Sequence, residues 1–456
     1  MSADEAPRDL PRQLTLLDST MINVGSMIGS GIFIVPATIA MHLQSTVPVI
    51  LVWIIGGVVS LFGALCMAEL GAMMPKAGGQ YVYLKNVYGP VWGFLYGWSC
   101  FTVIMTASIA AVAVAFATYV GYFIPMDSTA IKSVAIASIV VLTAINCFGT
   151  KLGALLQNGM TFVKIAALGT LGTLGFLLSG APASNFEPLF PAAGLMSMVG
   201  PFGLAMMAVL WAYDGWIEIT FVAGEVKRPE RNIHRSLFLS TMIVVGMYLI
   251  GNIGLLYVLS PGGMAQSPLV ASDAAAVALG STGAAFVALA VVVSTLGANN
   301  GFVFTAARIY YAMAREGLLF SFLTRIHPRW ETPVASLLLQ CAWACILIVT
   351  GTFDQLITYV VFASWVFYAM SCYAVIILRK RNPQRARPYR TWGYPFTPVL
   401  FIVFAAGLVV NTVIESPRDA AIGAGLIVAG LPVYYYWAKK GVREGTTTAL
   451  DRRGSQ

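Results

Sequence analysis

Asn23-Val24-Gly25-Ser26-Met27-Ile28-Gly29-Ser30-Gly31-Ile32-Phe33 lies inside the first long apolar segment of the chain, where a membrane helix should run unbroken from about Leu14 to Ala40. Three glycines and two serines crowd between Gly25 and Gly31. Gly costs roughly 1 kcal/mol against Ala in a helix interior, and Ser offers the backbone competing hydrogen bonds. A helix of this composition is primed to unwind at mid-membrane. Unwound backbone in lipid is tolerated only where it is buried in protein or lines a watery cavity. The competing reading is close helix packing, since Gly25-x-x-x-Gly29 fits the small-xxx-small pattern.

The remainder of the 456-residue chain supplies the setting. It is 58% hydrophobic and only 10% charged, with mean hydropathy +0.79, whereas soluble domains carry roughly 25% charged residues. This is the composition of a polytopic, all-α membrane protein. Windows of about 20 apolar residues predict twelve spans, at 14–41, 48–74, 90–121, 131–149, 154–179, 198–223, 236–260, 282–313, 333–351, 354–379, 394–415 and 419–438. The polar N-terminal dozen residues have no cleavage-site pattern, so no removable signal peptide is expected. All six cysteines fall in apolar runs without metal-ligand spacing. They read as small buried hydrophobes, and no metal or cofactor is expected.

Counting the spans alternately places the basic residues on one side. All of the 27 Lys and Arg except Lys132, Arg418 and Lys164 fall on the side of the N-terminus. Such a bias sets orientation, and it predicts that both termini are cytoplasmic. The net charge of +8 then reads as orientation signals and lipid-headgroup contacts, which excludes nucleic acid as a partner.

Span six repeats the anomaly of span one. Leu210-Trp211-Ala212-Tyr213-Asp214-Gly215-Trp216-Ile217-Glu218-Ile219-Thr220 puts two acids and a glycine at mid-span. An acid at a helix centre costs about 2.5–3.5 kcal/mol on insertion scales, so Asp214 and Glu218 should face a polar interior. Spans one and six are corresponding members of two five-span halves. Paired interruptions of this kind point to an inverted-repeat transporter with its substrate site between them. The expected organisation is an N-terminal tail over 1–13, repeats over 14–179 and 198–379, two further helices over 394–438, and a tail over 439–456. Gly29-Ser30-Gly31 presents backbone N–H groups suited to a carboxylate. Asp214 either attracts an amine or caps unwound backbone, with the cap favoured; Glu218 is read as local structure. Lys164, alone in its span, either snorkels or stands as a fixed positive charge where another transporter holds sodium, and its depth favours the latter. Glu69, Glu225 and Arg308 near the cytoplasmic ends suit either ion pairs or interfacial solvation. The three histidines receive no role.

These blocks, taken together, resemble the amino acid–polyamine–organocation superfamily, most closely its L-type amino-acid transporter branch and bacterial serine/threonine-exchanger-like permeases. The resemblance covers about residues 12–400. It rests on Ile28–Phe33, on Ala64–Gly71, on Lys76-Ala77-Gly78-Gly79-Gln80-Tyr81, on Val222–Asn232, and on the run from Asn300-Gly301 to Ala314-Arg315-Glu316-Gly317, then Ile326-His327-Pro328 and Thr332-Pro333-Val334. It implies two inverted five-helix repeats of the LeuT-like fold, with helices one and six broken. It implies that the Gly29, Ser30 and Gly31 amides hold a substrate carboxylate, and that the Met27, Ile28 and Trp211 carbonyls hold its amine. The Trp211 ring would lid the site, Asp214 and Gly215 would belong to it, and Ser364 would stand near the side-chain end. Lys164, with Ser294 nearby, would replace a sodium ion. Ile217 stands where cation-selecting relatives carry an acid, which argues for a neutral substrate. The loop from Tyr119 to Lys132 lacks the cysteine that tethers a heavy chain in animal members, so no disulfide-linked partner is expected.

The expected function is therefore sodium-independent exchange or proton-coupled uptake of small or branched neutral L-amino acids at the cytoplasmic membrane. A monomer or weak homodimer would carry it out. An embedded enzyme lacks a nucleophile–base or metal constellation at depth, and a channel would need a filter ring. A cationic amino-acid or polyamine antiporter is the alternative transporter, and an amino-acid sensor the alternative from another class.

Overall fold

The structure, a computed structural model, describes residues 9–178, 180–192, 194–267, 269–350 and 353–443. Most of the two expected tails (1–8 and 444–456), together with the predicted span ends at 179 and 351, lies outside these. The described chain is helical, with one isolated parallel bridge joining Leu14 to Val226.

Span one is two helices, α1 (Leu16–Met27) and α2 (Gly31–Leu43), bent by 43° across the intervening residues. A capping box starts α1: the Thr15 hydroxyl accepts from the Asp18 amide and the Asp18 carboxylate accepts from the Thr15 amide, satisfying two otherwise orphaned groups. Then come α3 (Thr46–Met73), the short α4 (Gln80–Tyr88), and a third span made of α5 (Pro90–Ser99), a π-helical turn (Cys100–Ile104) and α6 (Met105–Val120). The widened turn has its partners in place. Thr106 Oγ1 donates five residues back to Phe101 O at 2.6 Å, and Tyr310 Oη donates to Cys100 O at 3.2 Å. Next are α7 (Ser128–Cys147) and α8 (Thr150–Leu178).

Span six is likewise interrupted, as α9 (Val199–Ala212), an unwound turn, and the four-residue α10 (Glu218–Phe221). The second half continues with α11 (Pro229–Gln266), α12 (Val270–Leu279), α13 (Ser281–Arg315), α14 (Val334–Thr350), α15 (Phe353–Arg381), α16 (Phe396–Glu415), α17 (Pro417–Val428) and α18 (Gly430–Arg443). The expected end of span seven at 260 corresponds to a kink rather than a stop: Ser260 takes φ +61° ahead of Pro261, and the helix resumes to Gln266. Among the described residues, nine helical stretches are long and apolar enough to cross a membrane, and the bent α1–α2 pair makes ten. The other two expected spans coincide with shorter apolar helices, Val199–Ala212 and Val334–Thr350.

One continuous core joins α1, α3, α9, α11 and α13. At its centre Trp53 packs edge-on against Tyr213 and Tyr248, with ring centroids 5.8 and 5.3 Å apart. At the end of the bundle carrying the Lys227–Arg235 and Arg379–Arg390 clusters, two buried ion-pair networks tie elements together. Arg308 of α13 grips Glu225 through Nε (2.7 Å) and Nη2 (3.1 Å), with both side chains fully buried, and Thr150 of α8 donates to the same carboxylate at 2.7 Å. Arg379 of α15 holds Glu69 of α3 in bidentate geometry at 3.0 and 2.6 Å, and the Thr391 amide adds a third bond at 2.8 Å. Of the two readings open for these residues, paired burial is the one realised.

Candidate functional site

Each glycine in the span-one break has its own task. A Cβ on Gly25 would lie 2.0 Å from Gln157 Nε2 and 2.4 Å from Thr161 Oγ1, so Gly25 is where α8 packs closely on α1. Gly29 has open space, with only Ala298 Cβ at 3.7 Å, and packing does not account for it. Gly31 faces span six: its Cβ would stand 3.1 Å from Ala212 Cα and Cβ and 3.4 Å from the Trp211 ring. Gly215 answers from the other side. It takes φ +103°, open to glycine almost alone, and a Cβ there would meet Ser26 and Met27 backbone atoms at 3.0–3.1 Å. The two breaks therefore lie back to back at close quarters.

The carbonyls released by the breaks are held from outside. Lys164 of α8, fully buried, donates from Nζ to Gly25 O at 2.6 Å and Ile28 O at 2.8 Å. This puts an ammonium at the carbonyl end of α1, the negative end of its dipole. Ser294 of α13 adds bonds to Ile28 O (3.1 Å) and Gly29 O (3.0 Å). Tyr248 of α11 sets its hydroxyl between the breaks, 2.8 Å from Met27 O and 2.9 Å from Ala212 O. Met27 O also accepts from the Gly29 amide at 3.0 Å, and Trp211 O accepts from the Asp214 amide at 3.1 Å. The carbonyls expected to receive an amine thus have partners within the protein.

The amides behave differently. Gly29 N–H is taken by Met27 O, but among the described residues the Ser30, Gly31 and Ile32 amides donate to no protein group. They open the 13-residue α2, where its dipole is positive. A cavity of about 590 Å³, its open mouth included, lies against Ser30 and Gly31. Ser26, Met27, Gly29, Ser30 and Gly31 line one wall, and Trp211, Ala212 and Asp214 line the other. Ala107, Ser108, Ala111 and Val112 of α6, Ala298 and Phe302 of α13, and Val360 of α15 complete it. Asp214 is the one ionisable side chain in that lining. Its Oδ1 accepts from Tyr368 Oη of α15 at 2.9 Å, and the Gly215 amide of the unwound turn lies beside it.

Ser364 is not in the lining. It sits one turn beyond Val360 on α15, fully buried, and among the described residues its hydroxyl has no hydrogen-bond partner. Glu218 is also buried, and Thr305 of α13 donates to its Oε2. Sequence reasoning missed Tyr248, Tyr368 and the π turn that precedes Ala107 and Ser108. Tyrosines within apolar spans carry no periodicity signal, and only their polar hydroxyl at membrane depth marks them.

A sequence model described as "Amino acid permease" matches residues 14–437. The serine/threonine exchanger SteT of Bacillus subtilis (strain 168) is 32% identical over 434 residues, covering 94% of this chain and 98% of the relative. The b(0,+)-type amino acid transporter 1 of Homo sapiens is 31% identical over 457 residues (96% and 92%). The Asc-type amino acid transporter 1 of Homo sapiens is 32% identical over 447 residues (94% and 84%). With a matched family spanning nearly the whole chain and paired helix breaks facing one cavity, this multi-pass membrane protein belongs to the amino acid permease family.

Proposed function

We propose that this permease is a sodium-independent exchanger of small neutral L-amino acids. It would sit in the cytoplasmic membrane with both termini inside, and its twelve spans would form two inverted five-helix repeats working by alternating access. The observation that carries the reading is the polarity of the cavity. Unpaired amides of Ser30 and Gly31 stand on one wall and the Asp214 carboxylate on the other. A zwitterion's carboxylate and ammonium match those two poles.

Asp214, rather than the Met27 and Ile28 carbonyls, takes the ammonium in this proposal, because Tyr248, Lys164 and Ser294 already engage those carbonyls. Once Asp214 is spent on the α-ammonium, no second acid remains for a cationic side chain: Ile217 is apolar and Glu218 is held by Thr305. Ala107, Ala111, Val112, Phe302 and Val360 suit a small or branched apolar side chain. Lys164 supplies the charge a sodium ion would otherwise bring. The Arg308–Glu225 and Glu69–Arg379 networks close the cytoplasmic side. Exchange is favoured by the likeness to the Bacillus serine/threonine exchanger, and a Tyr119–Lys132 loop without cysteine suits a chain without a disulfide-linked partner.

The cationic alternative also rests on Asp214, so one panel separates the readings. Counterflow into proteoliposomes is measured for serine, leucine, lysine and putrescine, with wild type and Asp214→Asn at matched reconstitution. A hydrogen bond to a charged group is worth about 1.5–3 kcal/mol, so Asp214→Asn should weaken serine and leucine about 10- to 100-fold. If Asn abolishes lysine or putrescine uptake and leaves serine intact, Asp214 reads a side chain and the substrate is cationic. Substrate binding with no counterflow by wild type would instead indicate a sensor.

A further inference from the structure

Between Asp354 and Glu415 the chain has no acidic residue, yet it carries Arg379, Lys380, Arg381, Arg385, Arg387 and Arg390. Glu69 neutralises part of this charge through Arg379 and Arg387. Arg385 and Arg390 are exposed, and among the described residues neither has a carboxylate partner. The same holds for Arg231 and Arg235 in the first turns of α11. Two aromatic contacts bring these groups together. The His234 ring stacks on Tyr389 at 5.0 Å with 9° between planes, and Phe238, one turn later on α11, meets Trp392 edge-on at 5.4 Å. Arg235 and Arg390 are thus the immediate neighbours of a stacked pair. Beside them, Trp392 (59% exposed) and Phe396 (74% exposed) stand unburied where α16 begins. Amphipathic aromatic rings belong at the headgroup level of a bilayer, and bases next to them face phosphates.

We propose that the junction of α11 with the 382–395 loop is a seat for one anionic phospholipid, whose phosphate is held by Arg235 and Arg390 while Trp392 and Phe396 lie along its acyl–headgroup boundary. This seat is separate from the substrate cavity and from the basic residues that merely set orientation. The Arg231 charge strengthens it. Because the loop also closes over Glu69 through the Thr391 amide, the lipid would fasten α11, the loop and α3 at one end of the bundle.

The test uses the purified full chain in mild detergent and reads the lipid concentration at half of the rise in unfolding temperature. Phosphatidylglycerol, phosphatidylcholine and soluble glycerol 3-phosphate are compared. Wild type should respond to phosphatidylglycerol, less so at raised salt, and not to the other two. A base near an anionic surface is worth a factor of about five, so R235Q/R390Q should shift the midpoint about 30-fold. R235K/R390K should stay within about threefold of wild type and serves if the neutral pair fails to fold. K76Q/K151Q, which removes two exposed charges elsewhere on the basic side, should leave the midpoint unchanged. The proposal is overturned if phosphatidylcholine matches phosphatidylglycerol, or if glycerol 3-phosphate reproduces the effect. It is equally overturned if R235Q/R390Q keeps the wild-type midpoint or K76Q/K151Q shifts it as far.

Discussion

Lys164→Met removes the ammonium that pins the first helix break while keeping a long, unbranched side chain of similar volume. Gly25 O then loses the one donor it has among the described residues, at 2.6 Å, whereas Ile28 O keeps the Ser294 hydroxyl at 3.1 Å. A buried carbonyl left unpaired costs about 1–3 kcal/mol. The second lost bond, to Ile28 O, is charge-assisted, and such bonds run about twice as strong as neutral ones. Against these losses stands the relief of no longer burying an unpaired-by-acid ammonium, since desolvating an ion costs several kcal/mol. We therefore take the single orphaned carbonyl as the net effect, about 1–3 kcal/mol, which is a factor of about 5–150 in the population holding the unwound geometry. Methionine still fills the space under Gly297, whose added Cβ would lie 2.8 Å from Lys164 Cε, so gross misfolding is not expected. Serine exchange by reconstituted Lys164→Met should fall at least about fivefold, with a lower unfolding temperature in detergent. Wild-type exchange together with a wild-type unfolding temperature would refute the idea that this lysine maintains the break.

Two further predictions address the cavity and the buried Arg308–Glu225 pair. Gly31→Val puts a Cβ 3.1 Å from Ala212 Cα and Cβ, where the glycine has none, and adds two methyls beyond; overpacking costs about 1–3 kcal/mol. Serine binding to the purified variant should be lost while expression persists, and wild-type affinity would move the site elsewhere. Glu225→Gln strands the fully buried Arg308 without its anion, a change worth about 3–5 kcal/mol; thermal unfolding reads it, and a loss below about 1 kcal/mol would show that the pair does not stabilise this end of the bundle.

What the sequence made legible was set by chemical contrast. Glycines and serines in an apolar run, and acids at mid-span, cannot be read as ordinary membrane helix, so both breaks and their pairing were visible. Helix limits followed hydropathy closely, as at Thr46–Met73 and Val334–Thr350. Hydropathy failed where the helix outlasts the apolar run, at the start of α11 from Pro229, and where a kink mimics an end, at Ser260. The Asn146–Asn300–Gln157 chain, with bonds of 2.8 Å, was equally invisible, because partners on three helices are brought together only by the fold. For the same reason the family resemblance could point to the Met27 and Ile28 carbonyls without showing that Tyr248, Lys164 and Ser294 bond to them.

The central claim is that a zwitterion crosses at the paired breaks with Lys164 in place of a sodium ion. Its most direct measurement is serine counterflow into proteoliposomes loaded with unlabelled serine, run in sodium chloride and again with sodium replaced by choline. The account predicts the same accumulation rate in both. Absence of counterflow, or a rate that climbs steeply with sodium, would contradict it.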